Sequence, residues 1–492
     1  MIYINPVIKG FYPDPSVCYA DGKFYLVTSS FQYFPGVPLF ESSDLVNWKQ
    51  IGHCITRKSQ VQLDGARSSG GIFAPTIRYN NGTFYMVTTN TTVNKNFYIT
   101  TNDIHGQWSE PIFVEQDGID PSLFFDDDGK VYFISNGSDD FGNNGITQCE
   151  IDIKTGKKLS SSRTIWNGSG GRYLESPHMY KINNEYYLMV AEGGTEYGHM
   201  ITYARSKNVW GDFQGYEHNP VLTNRNLGGY IIQGVGHGDL IQNTDGNWYI
   251  VHLGFRQIDQ WMPYHNLGRE TFLTPVYFDE SGWFTAGNNG TVSEEFDING
   301  DFEQEPLPIY TFSNTRVGVD WCFLRHPVLE NYHFNSEKFI LKGTDKTLDS
   351  VDSPTFLALR QKDFSGSVTC NVSIDKGEAG ITLYMDEQQH YDLALRKSRD
   401  GFEAVLKLNI GDIKHDQKIV PLKNSTATLH IEFENFLYTF DVNDGEDNYP
   451  LGTAQTRYLS SEVASGFTGV MIGLYAQHDN TAEFTNFFCE YI

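Results

Sequence analysis

The sequence predicts an all-β protein with two or three domains. The chain has 492 residues, which is long for a single domain. It contains 47 glycines and 14% aromatic residues, a composition that favours strands and tight turns over helices. Apolar and polar residues alternate over short stretches, and almost no stretch has the helical period. We therefore expect sheets joined by turns along the whole chain.

A short pattern occurs five times in the first half of the chain. Each copy has a lead residue, an apolar run, a turn and a second apolar run with a tyrosine near its start. The turn dipeptides favour two-residue hairpins, because both central positions need φ > 0. Copies recur every 46 to 62 residues, roughly the length of a propeller blade. The lead residues are Asp14, Ala74, Asp120, Glu175 and His237, the turns are Asp21-Gly22, Asn81-Gly82, Asp128-Gly129, Asn183-Asn184 and Asp245-Gly246, and the tyrosines are Tyr25, Tyr85, Tyr132, Tyr186 and Tyr249.

The lead residues are expected to meet at one place. In a propeller the innermost strands of all blades run beside a central axis, so equivalent positions converge there. The carboxyl groups of Asp14, Asp120 and Glu175 would then face one another, beside His237 and the Ala74 loop. Three crowded carboxylates repel, so at least one should hold its proton near neutral pH, which points to acid–base chemistry. For His237 a structural role, a water-holding role and a metal-ligand role all stay open.

Four stretches resemble the signature motifs of glycoside hydrolase family 43. They are Phe11-Tyr12-Pro13-Asp14-Pro15-Ser16, Gly118-Ile119-Asp120-Pro121-Ser122, Tyr173-Leu174-Glu175-Ser176-Pro177-His178 and Gly268-Arg269-Glu270-Thr271. The likeness covers nearly the whole chain. It is greatest to the β-xylosidases and α-L-arabinofuranosidases that carry an extra C-terminal β-sandwich. The resemblance implies a five-bladed β-propeller, a following concanavalin-like β-sandwich and hydrolysis with inversion at the anomeric carbon.

The resemblance also implies a role for each acidic lead residue. Asp14 would be the general base, Glu175 the general acid, and Asp120 the group that orients the acid and tunes its pKa. These roles suit the reaction, which needs a protonated carboxyl for the leaving oxygen and an ionised carboxylate to activate water. Arg269 resembles the substrate-binding arginine of the family, and its alternative is a surface arginine paired with Glu270.

Aromatic side chains are expected to complete the pocket, because the C–H faces of sugars pack on them. Phe31 and Phe73, which precedes Ala74, resemble the sugar-contacting aromatics of the family. Related β-xylosidases usually carry Trp at the second position, so Phe73 is a departure that bears on sugar preference. Phe467 resembles an aromatic that a loop of the C-terminal domain contributes in related enzymes. Its alternative is a buried packing residue.

The domain boundary is predicted near Asp301 to Pro308, giving a catalytic domain over 1–303 and a sandwich over 304–492 that contributes to the active-site wall. The proline-containing stretch 302–308 is typical of an extended linker. Beyond it, seven stretches alternate polar and apolar residues, as β-sandwich strands do. They are 367–374, 379–385, 391–395, 404–410, 427–433, 469–475 and 483–492.

Charge and cysteine content limit the partners and the compartment. A net charge of −25 disfavours nucleic acid and anionic membranes, since phosphate binding needs clustered Lys and Arg. The six cysteines are far apart and form no Cys-x-x-Cys pair, which favours a reducing compartment. The first residues have no basic segment followed by an apolar one, so a cytoplasmic location is expected. Such an enzyme would meet short imported oligosaccharides, which favours removal of sugars from a chain end. Whether the protein forms a homo-oligomer is left open.

Four functional hypotheses follow. The first is an exo-acting β-D-xylosidase that releases xylose from xylo-oligosaccharides. The second is an α-L-arabinofuranosidase, or a bifunctional enzyme, with the same mechanism. The third is a sugar-binding propeller without catalysis, and the fourth is a retaining transfructosidase-like enzyme. No cofactor is required by the chemistry, and the resemblance leaves open a structural Ca²⁺ or other cation in the central channel near His237.

Overall fold

The computed structural model describes residues 1–300, 302–312, 317–335 and 338–492, and most of them lie in β-strands or the turns between them. The strands of the first 300 residues are β1 (Ile2–Ile4), β2 (Ser16–Ala20), β3 (Lys23–Val27), β4 (Tyr33–Phe34), β5 (Gly36–Ser42), β6 (Lys49–Ile55), β7 (Thr76–Asn80), β8 (Thr83–Asn90), β9 (Lys95–Thr101), β10 (Ile112–Val114), β11 (Ile119–Phe125), β12 (Val131–Ser138), β13 (Asn144–Glu150), β14 (Arg163–Trp166), β15 (Glu175–Ile182), β16 (Glu185–Glu192), β17 (Met200–Ser206), β18 (Gln214–Gly215), β19 (Ile232–Gln242), β20 (Trp248–Arg256), β21 (Glu270–Phe278), β22 (Phe284–Ala286) and β23 (Glu295–Asp297).

The later strands are β24 (Tyr310–Thr311), β25 (Phe323–Leu324), β26 (Tyr332–Phe334), β27 (Lys338–Lys342), β28 (Thr355–Arg360), β29 (Gly366–Ile374), β30 (Glu378–Asp386), β31 (Gln389–Lys397), β32 (Phe402–Ile410), β33 (Ile413–Leu422), β34 (Thr426–Phe433), β35 (Leu437–Asn443), β36 (Asn448–Gln455), β37 (Met471–Gln477) and β38 (Thr481–Tyr491). Helical structure in the described residues amounts to one α-helical turn, α1 (Ser461–Ala464), and the 3-10 turns Lys58–Gln60, Leu329–Asn331 and Thr456–Leu459.

Within the described first 300 residues, five antiparallel sheets of four strands each follow one another along the chain. Their strand orders are β2-β3-β5-β6, β7-β8-β9-β10, β11-β12-β13-β14, β15-β16-β17-β18 and β19-β20-β21-β22. In each sheet the strand that contains or closely follows the lead residue lies at an edge. Each of these edge strands contacts that of the next sheet, and β19 contacts β2. The five edge strands therefore form a closed ring.

The third residue of the repeated pattern links neighbouring strands of this ring. Ser16 Oγ donates to Asp239 Oδ2 (2.6 Å) and accepts from the backbone N of Ile77 (3.1 Å). The polar residue that follows the proline is therefore a structural tie between sheets, which explains why the copies keep matched spacing. Equivalent bonds run from Thr76 Oγ1 to the Pro121 carbonyl (2.9 Å) and from Ser122 Oγ to the Pro177 carbonyl (2.6 Å).

Three of the five predicted hairpin turns are confirmed as two-residue turns. Asp21-Gly22, Asn81-Gly82 and Asn183-Asn184 each connect directly paired strand ends, and both residues of each turn have positive φ. This is the backbone conformation that such dipeptides adopt at little steric expense.

The other two turn predictions are wrong. Asp128-Gly129 and Asp245-Gly246 lie in five-residue loops, 126–130 and 243–247, because pairing resumes only at Phe125 with Val131 and at Gln242 with Trp248. In both loops only the glycine of the dipeptide has positive φ. These are also the two copies whose tyrosine follows the lead residue by twelve residues instead of eleven, so the longer spacing was the available signal.

The C-terminal half folds into two larger sheets. One has the order β26-β27-β38-β29-β34-β35-β36 with β24 added beside β38, and the other has the order β28-β37-β30-β31-β32-β33. Buried side chains of both sheets, such as Leu429 and Ile472, belong to one hydrophobic cluster. All seven predicted stretches overlap strands, namely β29, β30, β31, β32, β34, β37 and β38. The alternation of polar and apolar residues could be recognised in the sequence because strands such as β29 bury every second residue.

The two halves are joined at several points. Strand β25 pairs with β4, so a segment that follows residue 310 adds to the first half. Within the first half, strand β1 pairs with β23, which brings residues 2–4 beside 295–297. The predicted boundary between residues 303 and 304 falls in a segment whose described residues contain no strand, and it stays a prediction; Asp301 lies outside the described residues.

All six cysteines are described, buried and unpaired.

None of the described helices has the length or the apolar character needed to span a lipid bilayer.

Arg325 is a fully buried cation at the junction of the two halves. Its Nε donates to the Ala66 carbonyl (2.6 Å) and its Nη1 to the Asp352 carbonyl (2.6 Å), while Nη2 pairs with Glu387. Glu387 also accepts from Ser68 Oγ at 2.7 Å. One guanidinium thus connects a loop of the first half to two segments of the second.

We expect Arg325→Ala to destabilise the protein strongly. The substitution leaves the carboxylate of Glu387 buried without its cation, a change that typically costs about 3 to 5 kcal/mol. Thermal unfolding followed by circular dichroism measures the effect, with Arg67→Ala as the control because Arg67 is exposed on the same loop. Equal melting temperatures for the two variants would contradict this account of the junction.

Candidate active site

A cavity of about 70 Å³ brings together all nine residues that the sequence singled out. They are Asp14, Phe31, Phe73, Ala74, Asp120, Glu175, His237, Arg269 and Phe467. Three further residues line it: Ile119, Thr195 and His199. Thr195 and His199 lie in the loop between β16 and β17, outside the repeated pattern, and no motif marked them.

The backbone departs from regular strand geometry at the lead residues that line the cavity. Asp14, Asp120 and His237 have φ values of 56°, 53° and 47°, in the left-handed region. Strand pairing slips by a bulge at the lead residues of β11, β15 and β19. Left-handed backbone costs roughly 1 to 2 kcal/mol per residue, and bulges re-aim side chains next to functional sites. The ring of strands holds this strain in place.

Asp14 is a buried carboxylate held in its ionised form. Burial alone would raise its pKa, but the opposing effects of Arg269, His237 and a hydrogen bond from Ser29 hold the pKa below its usual value. The Arg269 contribution comes from an ion pair, Nη1 to Oδ1, of 2.9 Å. Asp14 is therefore ionised at neutral pH and available to accept a proton.

Arg269 is a buried residue of the cavity, so the interpretation as a surface arginine is wrong. Its Nη1 contacts Asp14 and also donates to Thr195 Oγ1 at 2.8 Å. Glu270 instead pairs with Arg256, at 2.8 and 2.9 Å. The Nε of Arg269 is buried without a hydrogen-bond partner among the described residues, which leaves one donor for a ligand.

Glu175 is a carboxyl group that keeps its proton near neutral pH. Burial and the negative charge of Asp14 raise its pKa to about 7, against the opposing charge of Arg269. Its carboxyl makes no hydrogen bond to another described residue. A protonated and unengaged carboxyl at the cavity wall is suited to donate a proton to a ligand.

Asp120 lies beside the backbone that carries Glu175. Its Oδ2 accepts from the backbone N of Ser176 at 3.2 Å. Burial, then the charges of Glu175 and Asp14, raise the pKa of Asp120 well above its usual value. The two carboxyls titrate as a pair, so the pair holds at least one proton at neutral pH. The leading causes of the raised Glu175 pKa are burial and the charge of Asp14, and not the charge of Asp120, the residue that the resemblance implies tunes this pKa.

His237 stands between the two aspartates. Its Nδ1 lies 3.7 Å from Asp14 Oδ1 and 3.9 Å from Asp120 Oδ2. Burial lowers its pKa, so the imidazole is neutral at pH 7. No group of three or more His, Cys, Asp or Glu side chains in the described part of the chain could hold a metal ion. The cation predicted near His237 stays a prediction, and no step below uses one.

A charged pair that the sequence interpretation missed lies on the same strands, further from the cavity. Asp239 is fully buried and accepts from Arg78 at 2.7 Å and from Tyr180 Oη. Arg78 lies on β7, two residues after Thr76, so each half of the pair belongs to a different copy of the repeat. The repeated pattern shows which positions are equivalent in different copies, but it does not show which copies contact each other. It therefore gave no sign that Arg78 of one copy pairs with Asp239 of another.

Three phenylalanines form the apolar wall of the cavity. The ring centroids of Phe31 and Phe73 are 5.4 Å apart, and Phe467 lies 5.9 Å from each of them. The Arg269 guanidinium lies 5.4 Å from the Phe467 ring centroid. The backbone N of Phe467 donates to Ser69 Oγ at 2.8 Å, which ties this C-terminal loop to the first half. Phe467 is half-buried and lines the cavity, so it does not lie in a separate core.

A larger cleft of about 610 Å³, here called the outer cleft, opens beside the small cavity. The two share Glu175, Thr195, Arg269 and Phe467. The far wall includes Tyr197, whose hydroxyl donates to Glu462 of α1 at 2.8 Å. Glu175 thus lines both the small cavity and the outer cleft, whereas the ionised Asp14 lines the small cavity alone.

Each half of the chain matches the model of a known protein family. Residues 3–284 match the family model "Glycosyl hydrolases family 43", and residues 310–489 match "Beta xylosidase C-terminal Concanavalin A-like domain". The chain is 38% identical to a non-reducing end alpha-L-arabinofuranosidase of Bacteroides ovatus, over 97% of this chain and 92% of that protein. It is 36% identical to a xylosidase/arabinosidase of Butyrivibrio fibrisolvens, over 99% and 98%. The structure of a xylan beta-1,4-xylosidase from Bacillus halodurans superimposes with a TM-score of 0.92 at 30% identity, covering 99% of this chain and all of that one.

Proposed function

The chain belongs to glycosyl hydrolases family 43, and we propose that it is an exo-acting, inverting β-D-xylosidase that releases xylose from the ends of xylo-oligosaccharides. The observation that carries this proposal is the pairing of an ionised Asp14 with a proton-bearing Glu175 around a cavity of about 70 Å³. A small cavity that opens into a larger cleft suits a terminal sugar with its chain outside. This arrangement favours removal of one sugar at a time.

The architecture belongs to the same proposal. The five four-stranded sheets are the blades of a five-bladed β-propeller, and residues 304–492 form the concanavalin-like sandwich. The closed ring of edge strands supports the propeller, since lead residues of different sheets meet at one end of it. The position of Phe467 against Phe31 and Arg269 supports a sandwich that contributes to the active-site wall.

The reaction follows from the two protonation states. Glu175 donates its proton to the glycosidic oxygen as the bond from that oxygen to the anomeric carbon breaks. Asp14 accepts a proton from a water molecule whose oxygen attacks the same carbon from the opposite face. The leaving chain departs with the proton of Glu175, and the sugar keeps the water oxygen with inverted configuration. Arg269 keeps Asp14 ionised and offers its free Nε–H to a sugar hydroxyl.

Asp120 acts through Glu175 instead of contacting the reacting atoms. Its carboxyl holds the backbone N of Ser176, the residue that follows the acid. Its carboxyl also titrates together with that of Glu175, and the two carboxyls retain one proton between them at neutral pH. Asp120 is therefore a positioning residue that keeps Glu175 oriented.

An α-L-arabinofuranosidase is the second candidate. Two observations favour it: the name of the Bacteroides ovatus relative and the presence of Phe73 in the cavity wall. Phenylalanine occupies less space than the tryptophan expected of related β-xylosidases, so the wall of the cavity is less filled. The acid, the base and the stereochemical outcome are the same for both sugars.

We expect the purified protein to hydrolyse nitrophenyl β-D-xylopyranoside with a higher kcat/KM than nitrophenyl α-L-arabinofuranoside. It should also release xylose from xylotriose, with the α-anomer appearing first, because water attacks opposite to the leaving group. Initial rates measure the preference, and proton NMR of the first turnovers identifies the anomer.

Asp14→Ala serves as the blank in this experiment, because without the base no water is activated. A preference for the furanoside would move the assignment to the second candidate. A β-anomer formed first would refute the inverting mechanism, and a folded protein inactive on both pentosides would refute the enzyme.

We expect Glu175→Ala to impair substrates according to their leaving groups. Xylobiose needs protonation of its glycosidic oxygen, so its kcat/KM should fall by about 100-fold to 10,000-fold. An activated dinitrophenyl xyloside needs little protonation and should lose much less. Equal losses on the two substrates would show that Glu175 is not the acid, and Asp14→Ala, which should impair both equally, is the matched control.

A further inference from the structure

A second cavity lies beside the outer cleft, and Glu175 does not line it. Its volume is about 340 Å³, and it is lined by side chains from three loops, including Arg225, Gln257 and Trp261. Tyr197 lines both this cavity and the outer cleft. The outer cleft and this second cavity are therefore adjacent, and the small cavity shares Glu175 with the outer cleft.

Trp261 is an unusually exposed aromatic residue. Its exposed fraction is 85%, although tryptophan is normally well buried. Its backbone is held in a turn by Asp259, whose Oδ1 accepts from the Trp261 N at 2.8 Å. An indole presented to solvent by an ordered turn, beside a cavity, is a surface on which the C–H face of a sugar can pack.

Two polar side chains of the same cavity have unused hydrogen-bonding capacity. Gln257 is 5% exposed, yet its Nε2 has no hydrogen-bond partner among the described residues. Arg225 contacts the Met200 sulfur through Nη1 and forms no ion pair with a described carboxylate. A buried amide without a partner is rare and indicates a missing water or ligand, and amide and guanidinium N–H groups suit sugar hydroxyls.

We propose that this second cavity binds a further pentopyranose residue of the leaving chain, with Trp261 as its stacking platform and Gln257 and Arg225 as hydrogen-bond donors. The inference rests on the proposed function, because it is the leaving group of that reaction that enters the outer cleft. The occupant is a neutral sugar of the substrate itself. The site selects longer oligosaccharides over short ones, while the small cavity selects the terminal sugar.

The test is the dependence of kcat/KM on chain length from xylobiose to xylopentaose. The wild-type kcat/KM should rise once the chain is long enough to reach Trp261. Trp261→Ala should remove this rise, a loss of about threefold to tenfold for one stacking contact, and should leave xylobiose unaffected. Trp261→Phe should retain most of the rise. Tyr277→Ala, an exposed aromatic at the opposite end of β21 in the same sheet, should behave as wild type.

A binding measurement separates this inference from the proposed function. In the Glu175→Gln background, in which hydrolysis of the unactivated chain is slow, xylotetraose should change the tryptophan fluorescence, and the additional Trp261→Phe substitution should remove most of that change. If no substrate is hydrolysed but this signal is present, the proposed function fails and the binding site stands. If the Trp261 variants match wild type over the whole length series, or lose activity equally on xylobiose, the inference is overturned. A fluorescence change that does not depend on Trp261 overturns it as well.

Discussion

The ion pair between Arg269 and Asp14 determines the protonation of the whole site. Burial alone would raise the pKa of every carboxyl in the cavity, and three neutral acids would have no base among them. Arg269 contacts Asp14 at 2.9 Å and holds its pKa below the usual value. The charge retained on Asp14 then adds to burial in raising the pKa of Glu175 to about 7. One buried cation thus separates two carboxyls of similar chemistry into one that is ionised and one that keeps its proton near pH 7.

Two positions of the repeated pattern have different roles in building this site. The third position of each copy ties neighbouring strands, as Ser16 does with Asp239, and the lead position is free to carry chemistry. The strained backbone of Asp14 and Asp120 is tolerated because these ties hold the strands on both sides. The C-terminal half closes the cavity with Phe467, which Ser69 anchors. The lead residue can therefore differ between copies while the ring stays the same.

Much of the fold and most of the site could be predicted from the sequence, because both leave periodic signals. Three of the seven predicted C-terminal strands, β29, β34 and β38, bury alternate residues, and the nine site residues occupy repeat positions or motifs that lie together in one cavity. The five-residue loops at Asp128 and Asp245 were not recognised, because a dipeptide does not reveal how far strand pairing extends. Thr195 and the Arg78–Asp239 pair were missed for a related reason. Contacts between different repeats depend on the closed ring and carry no local pattern.

The most direct test of the account is the pH dependence of kcat/KM on xylobiose. Glu175 must be protonated to act, so activity should fall as the pH rises through its raised pKa, near 7. Asp14 must be ionised to act, so activity should fall on the acidic side only below the usual range of an aspartate. With the activated dinitrophenyl xyloside, Glu175→Gln should lose the basic limb and keep the acidic one. A basic limb that persists in Glu175→Gln, or an acidic limb at or above the ordinary aspartate range, would contradict the assignment of acid and base.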